Sequence, residues 1–124
     1  MSTRSTLLVV FLVAAGCGNK SDAPPADSPD AKEAHRLFDT LCSTCHGADG
    51  KGDGAAAANL NPKPRNYTDK AWQAKVTDDD IRYIILNGGA AVGKSPAMPA
   101  QAQLRNSPGV VDELVKIVRS FGGK

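Results

Sequence analysis

Aromatic side chains are scarce in this 124-residue chain: three Phe, two Tyr and one Trp, 5% of the total. Sulfur and imidazole side chains, the usual ligands of redox metals, are about as scarce, with three Cys, two His and two Met. No apolar run reaches the roughly twenty residues of a membrane-spanning helix. No stretch alternates apolar and polar residues as a half-buried strand does. There is no clustered basic face of the kind nucleic acid requires, since fifteen Lys and Arg against thirteen Asp and Glu leave a net charge of only +2. These absences leave a single small all-α domain. With so few large apolar side chains it has little core of its own, so a bound cofactor is expected to form much of it.

What the chain does have is the run Cys42-Ser43-Thr44-Cys45-His46. Two thiols three residues apart, followed at once by an imidazole, form the attachment sequence for one covalent c-type haem. On a helical turn such thiols share a face, so both reach one porphyrin edge while His46 turns a ring nitrogen to the iron. A bare C-x-x-C can also be a redox dithiol or half of a zinc site. The dithiol wants a βαβ context, which is not found. Zinc wants two further ligands, and the remaining Cys and His are only Cys17 and His35.

The first sixteen residues are expected to be an export signal: Arg4 precedes an apolar stretch over 7–16 that is too short for an anchor. It ends Ala14-Ala15-Gly16-Cys17, similar to the bacterial lipobox, in which the Cys becomes lipidated. Ala14 departs from the usual branched residue. A lipidated Cys17 makes the protein anchored on the periplasmic side and not spanning. Without residues 1–16, fourteen basic against thirteen acidic side chains leave +1. Residues 17–29, rich in Pro and small polar groups, read as a flexible tether. Fully extended, the stretch after Cys17 reaches on the order of 40 Å. The folded domain is expected over 30–124.

Within it, Asp30 and Glu33 have capping-box spacing. Ala34, Leu37, Phe38 and Leu41 then form one apolar helical face leading into Cys42. Residues 47–66 form an irregular loop with Gly and Pro. A short helix follows Thr68 and carries Trp72. Another starts at Thr77 as N-cap, with Asp78, Asp79 and Asp80 in its first turn, turns Ile81, Ile84 and Ile85 inward, and stops at Gly88. Residues 88–106 read as a second irregular segment. The last helix has Ser107 as cap and Pro108 at its first position, with Val111, Leu114, Val115 and Val118 inward, and ends near Phe121. The expectation is four to five helices and long loops wrapped around one haem.

Iron opposite His46 needs a second ligand to be six-coordinate. Met98, the one Met left after the signal, lies in Ser95-Pro96-Ala97-Met98-Pro99, a stiff loop suited to hold a weakly binding thioether. His35 lies off the apolar face of the first helix and reads as solvent-facing.

From 31 to 121 the chain resembles class I, single-haem cytochromes c. Phe38, four residues before Cys42, stands where that family has an aromatic. Ala34 stands where the family usually has Gly, and Ile117 at a position often aromatic. The resemblance implies that the first and last helices cross, with Ala34 and Phe38 against the region of 114–117. It also implies that the loop of 60–65, near Pro62 or Pro64, offers a backbone carbonyl to the haem His, which fixes imidazole orientation. By the same resemblance Arg65 and Trp72 are candidate partners of the haem propionates.

Two patterns compete with this reading. Residues 88–95 match the phosphate-binding pattern G-x-x-x-x-G-K-[ST]. That loop must open a helix, and Pro96 and Pro99 argue against one. Residues 49–54 faintly resemble a calcium loop, but Lys51 and Leu60 stand where oxygen ligands are required. The expected function is therefore a monomeric one-electron carrier with haem bonded to Cys42 and Cys45 and ligated by His46 and Met98. It is not an enzyme, meets redox-protein partners transiently and works in a bacterial periplasmic chain. The alternatives are a five-coordinate haem that takes up a small ligand, a haem subunit of a larger redox complex and, remotely, a nucleotide binder.

Overall fold

Ser28 sets the start of the first helix. In a computed structural model, which describes residues 26–123, its Oγ accepts the Ala31 N–H at 3.1 Å and Pro29 occupies the first helical position. This corrects the expected Asp30–Glu33 box. Proline needs no backbone donor there, so the cap falls on the residue before it, and Glu33 pairs instead with Arg36 at 2.6 Å. The expectations for residues 1–25, including the export signal, Cys17 and most of the tether, lie outside the described residues.

Helix α1 (Pro29–Leu37) passes into a π-helical turn, Phe38–Cys42, and then into α2 (Ser43–His46). Helices α3 (Lys70–Lys75), α4 (Asp78–Asn87) and α5 (Pro108–Ser120) follow. Short 3₁₀ turns lie at Ala57–Asn59, Gly89–Val92, Ala102–Asn106 and Phe121–Gly123. Among the described residues there is no strand, so the fold is all-α. The segment expected to be irregular over 88–106 contains two of these turns.

Helices α1 and α5 cross. Ala31 and Ala34 are buried at the contact, where small side chains let the two backbones approach. A Cβ at Gly109 would collide with the Asp30 carboxylate. Helix α5 buries Val110, Val111, Leu114, Val115, Ile117 and Val118, and with Ala34, Phe38, Tyr67, Ile81, Leu104 and Phe121 they form one core. Both Ala34 and Phe38 thus join the α5 face, as the resemblance implied.

The π turn overrides one expectation. Leu41, placed on the inward face by its spacing, is 43% exposed. In this turn the Ser43 N–H reaches back five residues to the Phe38 carbonyl, which adds a residue to the turn and displaces the face by one position. Cys42 packs against the core in its place. Hydroxyls take up carbonyls along the turn: Thr40 Oγ1 donates to Arg36 O and Ser43 Oγ to Asp39 O, both at 2.7 Å.

Helix α4 begins with a complete capping box. Thr77 Oγ1 accepts the Asp80 N–H at 3.1 Å, and the Asp80 carboxylate accepts the Thr77 N–H at 3.0 Å. Its Ile81 is buried, while Ile84 and Ile85 are half-buried. Ser107 caps α5 only through its backbone carbonyl, which accepts from Val110 and Val111; its side chain makes no capping bond.

Arg119 joins three elements at the end of α5. Its guanidinium donates to Asp78 Oδ1 at 2.7 Å, Val76 O at 2.7 Å, and Gln73 O and Oε1 at 2.9 and 3.0 Å. The Gln73 amide then donates to Val118 O at 2.9 Å and Tyr67 O at 2.8 Å.

Candidate haem site

Helix α2 is only four residues long, and the four carbonyls of such a helix find no partner inside it. Here every one is taken by the glycine-rich loop that follows. Ser43 O accepts from Gly47, Thr44 O from Ala56, Cys45 O from Gly54 and His46 O from Gly52, at 2.8, 3.0, 3.1 and 2.7 Å. The loop lies so close that a Cβ at Gly54 would stand 2.5 Å from the Ser43 carbonyl oxygen. Backbone bonds thereby satisfy the whole C-terminal end of the attachment turn.

His46 is buried, 8% exposed. Its Nδ1 lies 3.1 Å from the Arg65 carbonyl. With Nδ1–H donating there, Nε2 is the nitrogen left for a metal. The acceptor belongs to Arg65 itself, one residue beyond Pro64, where the sequence had left Pro62 and Pro64 open. Burial lowers the imidazole pKa, against a smaller opposing effect of the Arg65 hydrogen bond. The ring is thus kept neutral, as a ligand must be.

Cys42 and Cys45 are free thiols. Burial, and secondarily the neighbouring Cys45, pushes the Cys42 thiol up to about 11. The βαβ context that a thioredoxin-like dithiol wants is missing: among the described residues there is no strand. Among the described residues no three His, Cys, Asp or Glu side chains are grouped to hold a metal ion, which leaves the pair without further zinc ligands. Two unpaired thiols on one turn, beside a neutral imidazole with a free nitrogen, fit a covalently attached haem.

Met98 is half-buried. Its loop is tied to the end of α4 by backbone bonds: Gly89 N donates to Met98 O at 3.0 Å and Gln101 N to Ile85 O at 2.9 Å. Glycine is required at this crossing. A Cβ at Gly88 would lie 2.8 Å from Ala100 N and 2.9 Å from Met98 O, and one at Gly89 would strike Ser95 O. Of the two glycines that imitate a phosphate-binding loop, Gly88 is thus explained by the passage of the Met98 segment, and Gly93 by its left-handed φ of 68° at the end of the Gly89–Val92 turn. Residues 81–86 belong to α4 and not to a strand, and residues 94–100 are turn and coil, so no α-helix opens directly at Lys94 and Ser95.

Arg65 and Trp72 come together. The Arg65 guanidinium stands 5.5 Å from the Trp72 ring centre and 3.7 Å from the Asp69 carboxylate. Trp72 is half-buried against Tyr67. His35 is exposed. The sequence reading missed Tyr67, which stacks on His46 with ring centres 4.4 Å apart and planes 12° from parallel. The one signal was an aromatic residue in a polar loop of a chain with few aromatics. It also missed Gln73 and Arg119, whose partners lie up to 46 residues away and leave no local pattern.

The cytochrome c family profile matches residues 31–114. A curated relative, the cbb3-type cytochrome c oxidase subunit FixP of Azorhizobium caulinodans, is 35% identical over 103 residues, covering 83% of this chain and 31% of its own length. The chain therefore spans about a third of that relative. No solved structure matches the chain significantly. The family binds haem c covalently, and Cys42 and Cys45 fit its attachment motif. The chain belongs to the cytochrome c family.

Proposed function

We propose that Cys42 and Cys45 hold the haem by thioether bonds, that His46 and Met98 are its axial ligands, and that the protein is a one-electron carrier and not an enzyme. The haem supplies reversible exchange between Fe(III) and Fe(II), at a potential raised by Met/His ligation relative to other axial pairs. The observation that carries this reading is the His46 ring, buried and held through Nδ1 at 3.1 Å from Arg65 O. The Met98 loop, pinned at Gly88 and Gly89, supports the thioether as the opposite ligand. With both axial positions taken, no coordination site is open to a substrate. Arg65 and Trp72 are proposed to meet the propionates.

The carrier works outside the cytoplasm, exported by residues 1–16 and anchored as a lipoprotein at Cys17, and meets its partners transiently. No helix among the described residues is long and apolar enough to cross a membrane. Similarity to an oxidase subunit favours a second reading in which the domain serves as the haem module of a larger redox complex.

A pyridine haemochrome spectrum with intact mass of the membrane-extracted protein should report one haem c and acyl chains on Cys17. The reduced protein should resist carbon monoxide at neutral pH; ready binding would show a five-coordinate iron and overturn the Met98 assignment. Met98→Ala should open the iron to carbon monoxide and lower the potential by ~0.1 V or more, given the ~0.8 V that axial ligation spans.

A further inference from the structure

Four of the five aromatic side chains among the described residues are gathered in one place; the fifth, Tyr83, is exposed. Phe38, Tyr67, Trp72 and Phe121 form a continuous cluster, with Phe38 to Phe121 at 5.4 Å, Phe121 to Tyr67 at 6.1 Å and Tyr67 to Trp72 at 5.7 Å between ring centres. The cluster ends on the His46 imidazole, which lies flat on Tyr67. Tyr67 is only 8% exposed and is held by its backbone as well as its ring. Its N–H donates to Gly50 O at 2.6 Å, and its carbonyl accepts from Gln73 at 2.8 Å.

We propose that Tyr67 is a positioning residue for the axial ligand: its ring face sets the plane of the His46 imidazole. This rests on the reading of His46 as the iron's ligand. The Arg65 carbonyl sets which way the Nδ1 edge points, but a carbonyl acceptor tolerates a broad range of donor directions, so that hydrogen bond alone sets the plane of the ring only loosely. A near-parallel aromatic face at 4.4 Å does not leave that freedom, because turning the imidazole drives its edge into the Tyr67 ring. Arg65 and Tyr67 are two residues apart, so one loop restrains His46 both at its edge and on its face. Gln73 and Arg119 extend that restraint to α5 through Val118 O and the Gln73 carbonyl.

The orientation of an axial imidazole plane governs the pattern of haem-methyl shifts in the paramagnetic Fe(III) protein, and that pattern is the readout. In the full-length holoprotein, Tyr67→Phe keeps the ring face and should keep the wild-type pattern. Tyr67→Leu should reorder the resonances while the iron stays low-spin. If Tyr67→Leu does not accumulate as holoprotein, Gln73→Ala provides the same readout, since it releases the Tyr67 carbonyl without touching His46. An unchanged pattern in Tyr67→Leu, or in Gln73→Ala where that variant stands in, overturns the inference. So does a change in Tyr67→Phe as large as that in Tyr67→Leu. A wild-type protein without a low-spin, histidine-ligated signal would instead overturn the assignment of His46.

Discussion

The loop that holds His46 and the loop that carries Met98 are secured by opposite means. On the His46 side, residues 47–67 saturate every carbonyl of α2, and side chains do the rest: the Tyr67 ring lies on the imidazole and Gln73 holds the Tyr67 backbone. On the Met98 side the bonds that tie the loop to α4 are main-chain, and the fit depends on the missing side chains of Gly88 and Gly89. The first loop is built into the core; the second is laid against the end of a helix. An imidazole binds iron strongly and needs aim. A thioether binds weakly and needs only to be kept near, which a docked loop provides.

The largest effect that tests this contrast comes from adding one methyl group to each side. Gly54→Ala drives a Cβ against the Ser43 and Thr44 carbonyls, which cannot retreat without opening α2. We expect a loss on the order of 3 kcal/mol, seen as a depressed unfolding transition and a poor yield of attached haem. Gly89→Ala pushes on Ser95 O and the Met98 side chain, yet the loop can lift as a unit. That variant should fold and carry haem while becoming open to carbon monoxide. Equal stability losses in the two variants would erase the distinction.

A smaller effect is expected at Arg119. Arg119→Ala removes the bonds to Asp78, Gln73 and Val76, and should cost about 2–3 kcal/mol, or roughly 10–20 °C in a domain of this size, as read by thermal unfolding of the holoprotein. Because the network touches Tyr67 but not the Met98 loop, carbon monoxide binding should not rise.

The smallest effect belongs to the cap of α4, remote from both loops. Hydrogen bonds from Thr77 hold the Asp80 carboxyl below its ordinary value of 3.8. A carboxyl lowered in the folded state stabilises above that value and loses its contribution as pH falls through the lowered one. Asp80→Asn should therefore melt slightly below wild type near neutral pH, by less than Arg119→Ala. The two curves should converge in acid, and a gap that persists there would contradict the capping role.

Much of the site was legible because covalent attachment demands a fixed spacing: Cys42, Cys45 and His46 are consecutive on one turn, and Thr77 with Asp80 is a local pattern of the same kind. Met98 was singled out through the prolines around it. What escaped was non-local. Arg65 was singled out for its guanidinium, whereas its backbone carbonyl is the group that meets His46. No spacing rule links Tyr67 to an imidazole twenty-one residues earlier, or Arg119 to Gln73. Leu41 was misplaced because helical periodicity assumes 3.6 residues per turn, and the turn it occupies does not keep it.

That wide turn carries a consequence for the comparison of chains. An extra residue absorbed as a bulge leaves the helix on either side of it in phase. A protein one residue shorter between Phe38 and Cys42 would wind as a regular α-helix and still aim its first thiol inward, in the place Leu41 would otherwise take. The distance from the aromatic anchor to the first attachment thiol is thus free to vary by one step, and counting backwards from the cysteines will misalign such chains by one position along their opening helix.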